Sequence, residues 1–572
     1  MAHSFIQFTF LCWLSILLQT DKISSATMED VESHIVQSHT TNKGESVVIL
    51  DHLFPKSSLE ALHTLILLNS PWQLHNEQEF PSLTSQKSPP GKGDLDVSNE
   101  DDCSKEVFPW SVPIPSAVFT KFNIWKLMHS SLKHVTEKDD YQPYEITAQV
   151  LQRGDKINTT CGLEKSSGED QTVRIFLTPD WGQNDYGDLT LFKSDDDHSD
   201  VDSVILNVKP RFGRAVIWDA HIPYLSHSPS MSYVQELMFL TIRCTRDKEK
   251  VQVTQKEIGS KLVEQENSRF FRFPKFKKKP NTKQLSEKEV RRFHDKDGRV
   301  VVVFDNIFSS DDVHNLKMYA AHQGPNFGWG PYDTAIAEGG DNVKWIKIFE
   351  PEDFRHTQWW TVIADLAKYV SGKKSEWYPY NVALNVGKPT DHTRIHPDCE
   401  IWEDEYTFLM YLNSNWSAEK LGETTFFDVL PDNGSLKEEL TEEEIYQLSE
   451  YDAIGAVRPQ LGRVVVFQGT IPHSARPPSS SYHGMRFSFA VKVAATKQIA
   501  LAKRLREAIE DFPVEKTDDE ALLIEELYDS SIKKKIGRSE KWLMEELNNY
   551  IIKQEDFIES EVTKAKNHLM RN

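Results

Sequence analysis

The stretch "DHTRIHPDCE" (391–400) places His396 and Asp398 two positions apart. On an extended segment that spacing turns an imidazole and a carboxylate to one side, so both can reach a single metal ion. With 20 histidines in the chain a chance pair is expected, and a second one exists: His198 and Asp200 in "DDDHSDVD". A third ligand for the first pair is available in "GRVVVFQGTIPHSARP", where His473 follows a Val-rich run and a turn, as a residue at a sheet rim would. Two imidazoles and one carboxylate leave three coordination positions open. That favours non-haem Fe(II) over zinc, which prefers a tetrahedral site.

An oxidant and a co-substrate are the natural occupants of open positions. Arg486 lies in the apolar run "GMRFSFAVKV", which reads as a strand facing the interior. A guanidinium there is costly unless paired, and a bidentate carboxylate is its natural partner. Ser488 shares its face and can donate to the same anion. His396, Asp398, His473 and Arg486 in this order describe an iron site with a carboxylate anchor beside it, which is what 2-oxoglutarate requires.

The elements that position these residues repeat along the chain. "VKPRFGRAVIWDAHIPYLSHSPSMSYVQELMFLTIR" (208–243) aligns without gaps on "VRPQLGRVVVFQGTIPHSARPPSSSYHGMRFSFAVK" (457–492), and 11 of the 36 positions are identical, enough for a shared fold. "WGQNDYGDLTLF" (181–192) matches "WSAEKLGETTFF" (416–427), and "GESVVILDHLFPKSSLEALHTLI" (44–66) matches "GRVVVVFDNIFSSDDVHNLKMYAA" (298–321). The short alternating or apolar runs bounded by Gly, Pro, Asn and Asp are strands, preceded by a helix start. The expected fold is mainly β with flanking helices: two tandem double-stranded β-helix (jelly-roll) domains, 44–247 and 298–494. A basic, exposed linker (248–297) joins them and a helical extension (495–572) follows.

Aligned through Trp181 and Trp416, the first copy has Cys161 at His396 and Leu163 at Asp398, and the gapless 208–243 match puts Tyr224 at His473 and Leu237 at Arg486. All four positions are lost together, as expected of a copy that kept the fold without the chemistry. His198 and Asp200 follow the strand "DLTLF", whereas His396 and Asp398 precede its counterpart, so "DDDHSDVD" reads as a solvated acidic loop rather than a site. The acidic insert "LPDNGSLKEELTEEEIYQLSEYD" of the second copy is a candidate lid, with a solvated excursion as the alternative.

The order His-x-Asp, distal His, Arg-x-Ser resembles the Fe(II)- and 2-oxoglutarate-dependent dioxygenases. "LGETTFF", "GRVVVFQGTIPHSARP" and "GMRFSFAVKV" are similar to their prolyl- and lysyl-hydroxylase-like branch over residues 298–494. The resemblance implies iron held by His396, Asp398 and His473, and 2-oxoglutarate held by Arg486 with Ser488. It also implies O2 as oxidant, ascorbate as a further candidate cofactor, and hydroxylation of a protein side chain or small metabolite. The competing reading is a non-enzymatic, glycosylated binding or assembly protein built from two jelly rolls.

A net charge of −21 argues against nucleic acid as a partner, because phosphate binding needs a cationic face. The apolar run Phe5–Leu18, followed by "SSAT", reads as a signal peptide spanning 1–26, with no later run long enough to span a bilayer. Sequons at Asn158, Asn415 and Asn433 agree with a secretory route, in the ER lumen or beyond. Cys103, Cys161, Cys244 and Cys399 are even in number and could pair there in three ways. A homo-oligomer is left open.

Overall fold

The computed structural model describes residues 31–74, 110–160, 170–193, 204–267, 273–322, 330–331, 345–399, 405–430 and 450–504, apart from one- or two-residue positions inside these stretches. The signal segment, His198 and Asp200, Cys103 and Cys161, Asn158 and Asn433, the acidic insert and most of the C-terminal extension lie outside them.

Among the described residues, two eight-stranded and two three-stranded sheets form in the same pattern twice. The earlier strands are β1 (Ile35–Thr40), β2 (Ser46–Leu50), β3 (Gln73–Leu74), β4 (Trp110–Pro113), β5 (Gln142–Leu151), β6 (Gln171–Phe176), β7 (Leu189–Phe192), β8 (Val204–Val208), β9 (Ala215–Asp219), β10 (Tyr224–Ser226) and β11 (Leu237–Thr245). They order as β1-β2-β9-β6-β11-β5-β4-β3 and β10-β7-β8. The later strands are β12 (Glu289–His294), β13 (Val300–Phe304), β14 (Gly330–Pro331), β15 (Trp345–Ile348), β16 (Tyr378–Gly387), β17 (Glu405–Tyr411), β18 (Thr424–Val429), β19 (Tyr451–Val457), β20 (Val464–Gln468), β21 (His473–Ala475) and β22 (Arg486–Ala494). Their order, β12-β13-β20-β17-β22-β16-β15-β14 and β19-β18-β21, repeats the first strand for strand. Every pairing is antiparallel, as in a jelly roll.

Burial explains which runs became central strands. β13 ("VVVVF") and β17 ("EYTFLMY") are buried on both faces, so they read as continuous apolar runs rather than alternating ones. One face packs on the small sheet through Val301, Val303, Leu409, Phe426, Val465 and Phe467. The other packs on helices, chiefly Gln358–Ser371, whose buried face carries Trp359, Val362, Ile363, Leu366 and Val370. The Thr357 side chain accepts from the Trp360 N–H to start this helix, and Gly372 at φ +67° ends it. Ser309 and Asp312 cap helix Ser310–His322 as their spacing suggests, with the Asp312 N–H on Ser309 Oγ at 3.1 Å.

The helical sides of both repeats merge. A single apolar cluster contains Leu50, Trp110, Ile146 and Leu240 of the first and Val302, Trp359, Val382 and Val491 of the second. Helix Lys56–Asn69 lies against β14, and helix Ser310–His322 lies reciprocally against β3.

Two expectations need correcting. The segment 248–297 is not an irregular linker, although most of its described residues are exposed. It begins with the 20-residue helix Lys248–Asn267 and ends in β12, an edge strand of the second main sheet. Between them Phe276 packs on Phe308 and Trp359, Phe273 on Tyr319, Phe349 and Phe354, and Trp359 Nε1 donates to the Pro274 carbonyl. Lysine is the commonest residue there, but the phenylalanines set the packing. The repeats also start earlier than their sequence similarity, at β1 and β12, whose mostly exposed residues left no apolar pattern. Cys244 is a buried free thiol, so it takes no part in the pairings open to four cysteines.

Candidate metal centre

His396, Asp398 and His473 converge, with their ligand atoms within 4.8 Å of one another. They do so by a route different from the strand expected. His396 forms an isolated bridge to His473, each donating its N–H to the other's carbonyl at 3.1 and 3.0 Å. Pro397 has no N–H to continue a ladder, and the chain bends at Asp398, whose N–H donates to Gly469 O at 2.7 Å. Two backbone anchors therefore do the work of strand parity.

The imidazoles are oriented by backbone carbonyls. Nδ1 of His396 lies 3.0 Å from Arg394 O, and Nδ1 of His473 lies 3.1 Å from Ile471 O. A proton on each Nδ1 satisfies those carbonyls and leaves each Nε2 lone pair facing Asp398, at 3.9 and 3.7 Å from its oxygens. Burial pushes His473 down to about 4, against the upward pull of Asp398, so its ring is neutral at neutral pH. Phe426 and Phe467 pack on that ring and keep it dry.

Burial alone would push the Asp398 carboxyl up. Lys492, then the two imidazoles and the Thr407 hydroxyl, outweigh it and hold the group below the usual carboxylate range. Lys492 Nζ lies 3.0 Å from Oδ1, and Thr407 Oγ1 donates to Oδ2. Neither was picked out from sequence. The available signal was parity: Lys492 shares a face of β22 with Arg486 and Ser488, and Thr407 is its register partner on β17.

Arg486 is buried at 4% exposure. Its Nε donates to Gly422 O at 2.9 Å, Nη2 to Thr424 Oγ1 at 3.0 Å and Nη1 to Ser488 Oγ at 3.3 Å. Tyr411 lies under the guanidinium at 5.2 Å and donates its own hydroxyl to Thr424 at 2.7 Å. Burial lowers Arg486 from its ordinary value, though a guanidinium remains charged. Gly422, at φ +83°, lets its carbonyl meet Arg486 in a left-handed turn closed to side chains by Trp416. Thr424 is two residues along β18 from Phe426, the strand partner of His473. That step is about 7 Å, a span suited to a short dicarboxylate reaching from the metal ligands to the guanidinium.

The first repeat shows what is missing there. Thr160 and Tyr224 form the bridge matching His396 and His473, so the counterpart of His396 is Thr160 and not Cys161. Counting back from Trp181 carries a one-residue length difference between β5 and β6, which the bridge exposes. Tyr224 and Leu237 stand at His473 and Arg486 as expected, since β10 and β11 match β21 and β22 position for position. Arg174 fills this interior, with its guanidinium 4.3 Å from Phe239 and 5.3 Å from Tyr224, and donates to Ser226 Oγ at 2.6 Å. Among the described residues, His396, Asp398 and His473 are the group of three placed to share an ion. Asn415 is exposed, as a glycan acceptor must be.

No family model and no curated protein matches the chain. Solved structures that match include a prolyl-4-hydroxylase from Pseudomonas putida, 16% identical, covering 34% of this chain and 92% of its own, with a TM-score of 0.24. A viral collagen prolyl hydroxylase from Paramecium bursaria Chlorella virus-1, in its 2-oxoglutarate complex, is 16% identical over 35% of this chain and 98% of its own, with a TM-score of 0.23. A prolyl hydroxylase from Trichoplax adhaerens, complexed with a hypoxia inducible factor peptide, is 15% identical over 36% and 85%, also at 0.23. Likeness at this level assigns no chemistry by itself.

Proposed function

We propose that the chain is an Fe(II)- and 2-oxoglutarate-dependent oxygenase that hydroxylates a protein side chain or a small metabolite in the secretory pathway. The observation that carries this reading is the pairing of His396, Asp398 and His473 with a buried cation, Arg486, about one dipeptide repeat away along β18.

The donor set fits iron. Two Nε2 atoms and one carboxylate come from one side, and their Nδ1 atoms are already engaged by carbonyls. Iron and 2-oxoglutarate bound there would supply the oxidising power of O2, with the oxo acid leaving as succinate and CO2. The chain's own tasks are binding, orientation and exclusion of water. Arg486 and Ser488 hold the far carboxylate, Tyr411 and Thr424 hold Arg486, and Phe426 and Phe467 shield His473. No side chain is required as a separate general base.

The first repeat, with Thr160, Tyr224 and Leu237 at the ligand and anchor positions, serves as scaffold or substrate-binding module. The sequons and apolar N-terminal run support a lumenal or secreted location, and no helix among the described residues is long and apolar enough to cross a membrane.

Succinate release from 2-oxoglutarate with Fe(II) tests the reading: activity in the wild type and none in His396→Ala is expected. Iron-loaded protein that neither binds nor decarboxylates 2-oxoglutarate would overturn it in favour of a glycosylated binding or assembly protein.

A further inference from the structure

Lys492 has a counterpart in the first repeat that reveals its purpose. β11 and β22 are both nine residues long, and Arg243 and Lys492 occupy the same position in each. Both face a threonine on the neighbouring strand: Thr172 on β6 for Arg243, Thr407 on β17 for Lys492. On the other side Arg243 is in register with Glu145 of β5 and pairs with it at 3.0 Å. Lys492 is in register with Asn381 of β16, which carries no charge. The cation has been kept and its sheet-neighbour carboxylate replaced by an amide. Its charge turns instead to Asp398, 3.0 Å away.

The carboxylate it meets is 4% exposed. A buried anion loses the hydration that would hold and orient it, and charge-assisted hydrogen bonds are the substitute. Lys492 holds Oδ1 and Thr407 holds Oδ2, so the two register partners fix the carboxylate plane from the sheet side while the imidazoles face it from the other. Lys492 is itself 27% exposed, so its ammonium keeps partial hydration and can hold this place without a large desolvation cost.

We propose that Lys492 is a positioning residue of the metal centre, which orients Asp398 for a divalent cation and thereby sets the site's metal affinity. The inference rests on the iron-site reading above and adds a residue to it. Groups that orient a metal ligand from behind typically change affinity about 10–100-fold when removed.

Co(II) titration of the full-length chain, without 2-oxoglutarate, tests this by calorimetry and by the visible absorption of the bound ion. Lys492→Met is expected to bind Co(II) about 10–100-fold more weakly with an altered absorption band. Lys492→Arg, the residue type the first repeat has in this position, should recover most of the affinity. Asn381→Glu is the complementary variant, because it leaves Lys492 intact and rebuilds the Glu145–Arg243 arrangement. It should draw the ammonium off Asp398 and weaken binding, whereas Asn381→Gln should not. Far-UV circular dichroism confirms that each variant is folded, and Asn381→Glu decides the matter where Lys492→Met is not. Wild-type affinity and spectrum in folded Lys492→Met, or in Asn381→Glu, would overturn the proposal. His396→Ala separates the two levels. If the wild type binds Co(II) and His396→Ala does not, the metal site stands whatever Lys492 does. If the wild type binds none, the metal-site reading fails, and the role of Lys492 fails with it.

Discussion

Arg486 gives its hydrogen bonds to a carbonyl and two hydroxyls, none of which cancels its charge. A cation kept in the interior on those terms is suited to pair with an anion, as the proposed function requires. Arg486→Leu, which copies Leu237 of the first repeat, should weaken 2-oxoglutarate binding by about 2–5 kcal/mol and leave Co(II) binding intact. Titration of each ligand separately checks this. Arg486 was legible because it is a charged residue in an apolar run, and His396, Asp398 and His473 because of their spacing and their order along the chain. Lys492 and Thr407 were not, because nothing in a strand's sequence says which buried carboxylate a neighbouring strand will meet. The one-residue error at Thr160 has a similar source: pattern matching fixes strands, while the length of a connection shows only in its pairing.

At the scale of elements, β22 organises the centre. Arg486, Ser488 and Lys492 lie on one of its faces, and both flanking strands, β16 and β17, pair along its length. The repeat of β-strands was readable because antiparallel runs with Gly and Pro boundaries carry their own punctuation. The 248–297 segment was misread because composition averages over the few side chains that matter. Phe276, with 9% exposure, ties this connection to Phe308 and Trp359. Phe276→Ala should lower stability by about 3–5 kcal/mol, measured by urea denaturation. A loss below about 0.5 kcal/mol, the size expected of an exposed position, would mean that this connection does not hold the core.

For the whole molecule, the join between repeats is polar as well as apolar. The ends of β5 and β16 make the same turn, in which the Gln152 N–H donates to Asp155 and the Lys388 N–H to Asp391, both at 2.8 Å. Across the join Lys388 Nζ reaches Asp155 at 2.7 Å, with both side chains 5% exposed. Burial pushes Asp391 up to about 7 despite Lys388 and Arg153, which pull it down, and Asp155 adds to the rise. An unfolded Asp391 titrates near 3.8, so between about pH 4 and 7 the folded chain holds a proton that the unfolded chain releases. The contribution of this group to stability is therefore full below pH 4 and lost as the pH rises through 7. Asp391→Asn should flatten that part of the pH profile and gain stability relative to wild type at pH 8, in denaturation series at pH 5 and pH 8.

The shared apolar cluster has a consequence for how the protein is made. The first repeat leaves the ribosome before the side chains of the second that complete its helical side, Val302, Trp359, Val382 and Val491 among them, exist. Until then it presents a greasy flank to the lumen or cytosol, the kind of surface that chaperones hold and that aggregates when they do not. A chain stopped after Asn267 should accordingly be recovered insoluble or chaperone-bound, while the chain through Arg504 is soluble. The first repeat thus depends on the second during synthesis, which gives the cell a reason to complete both or degrade both.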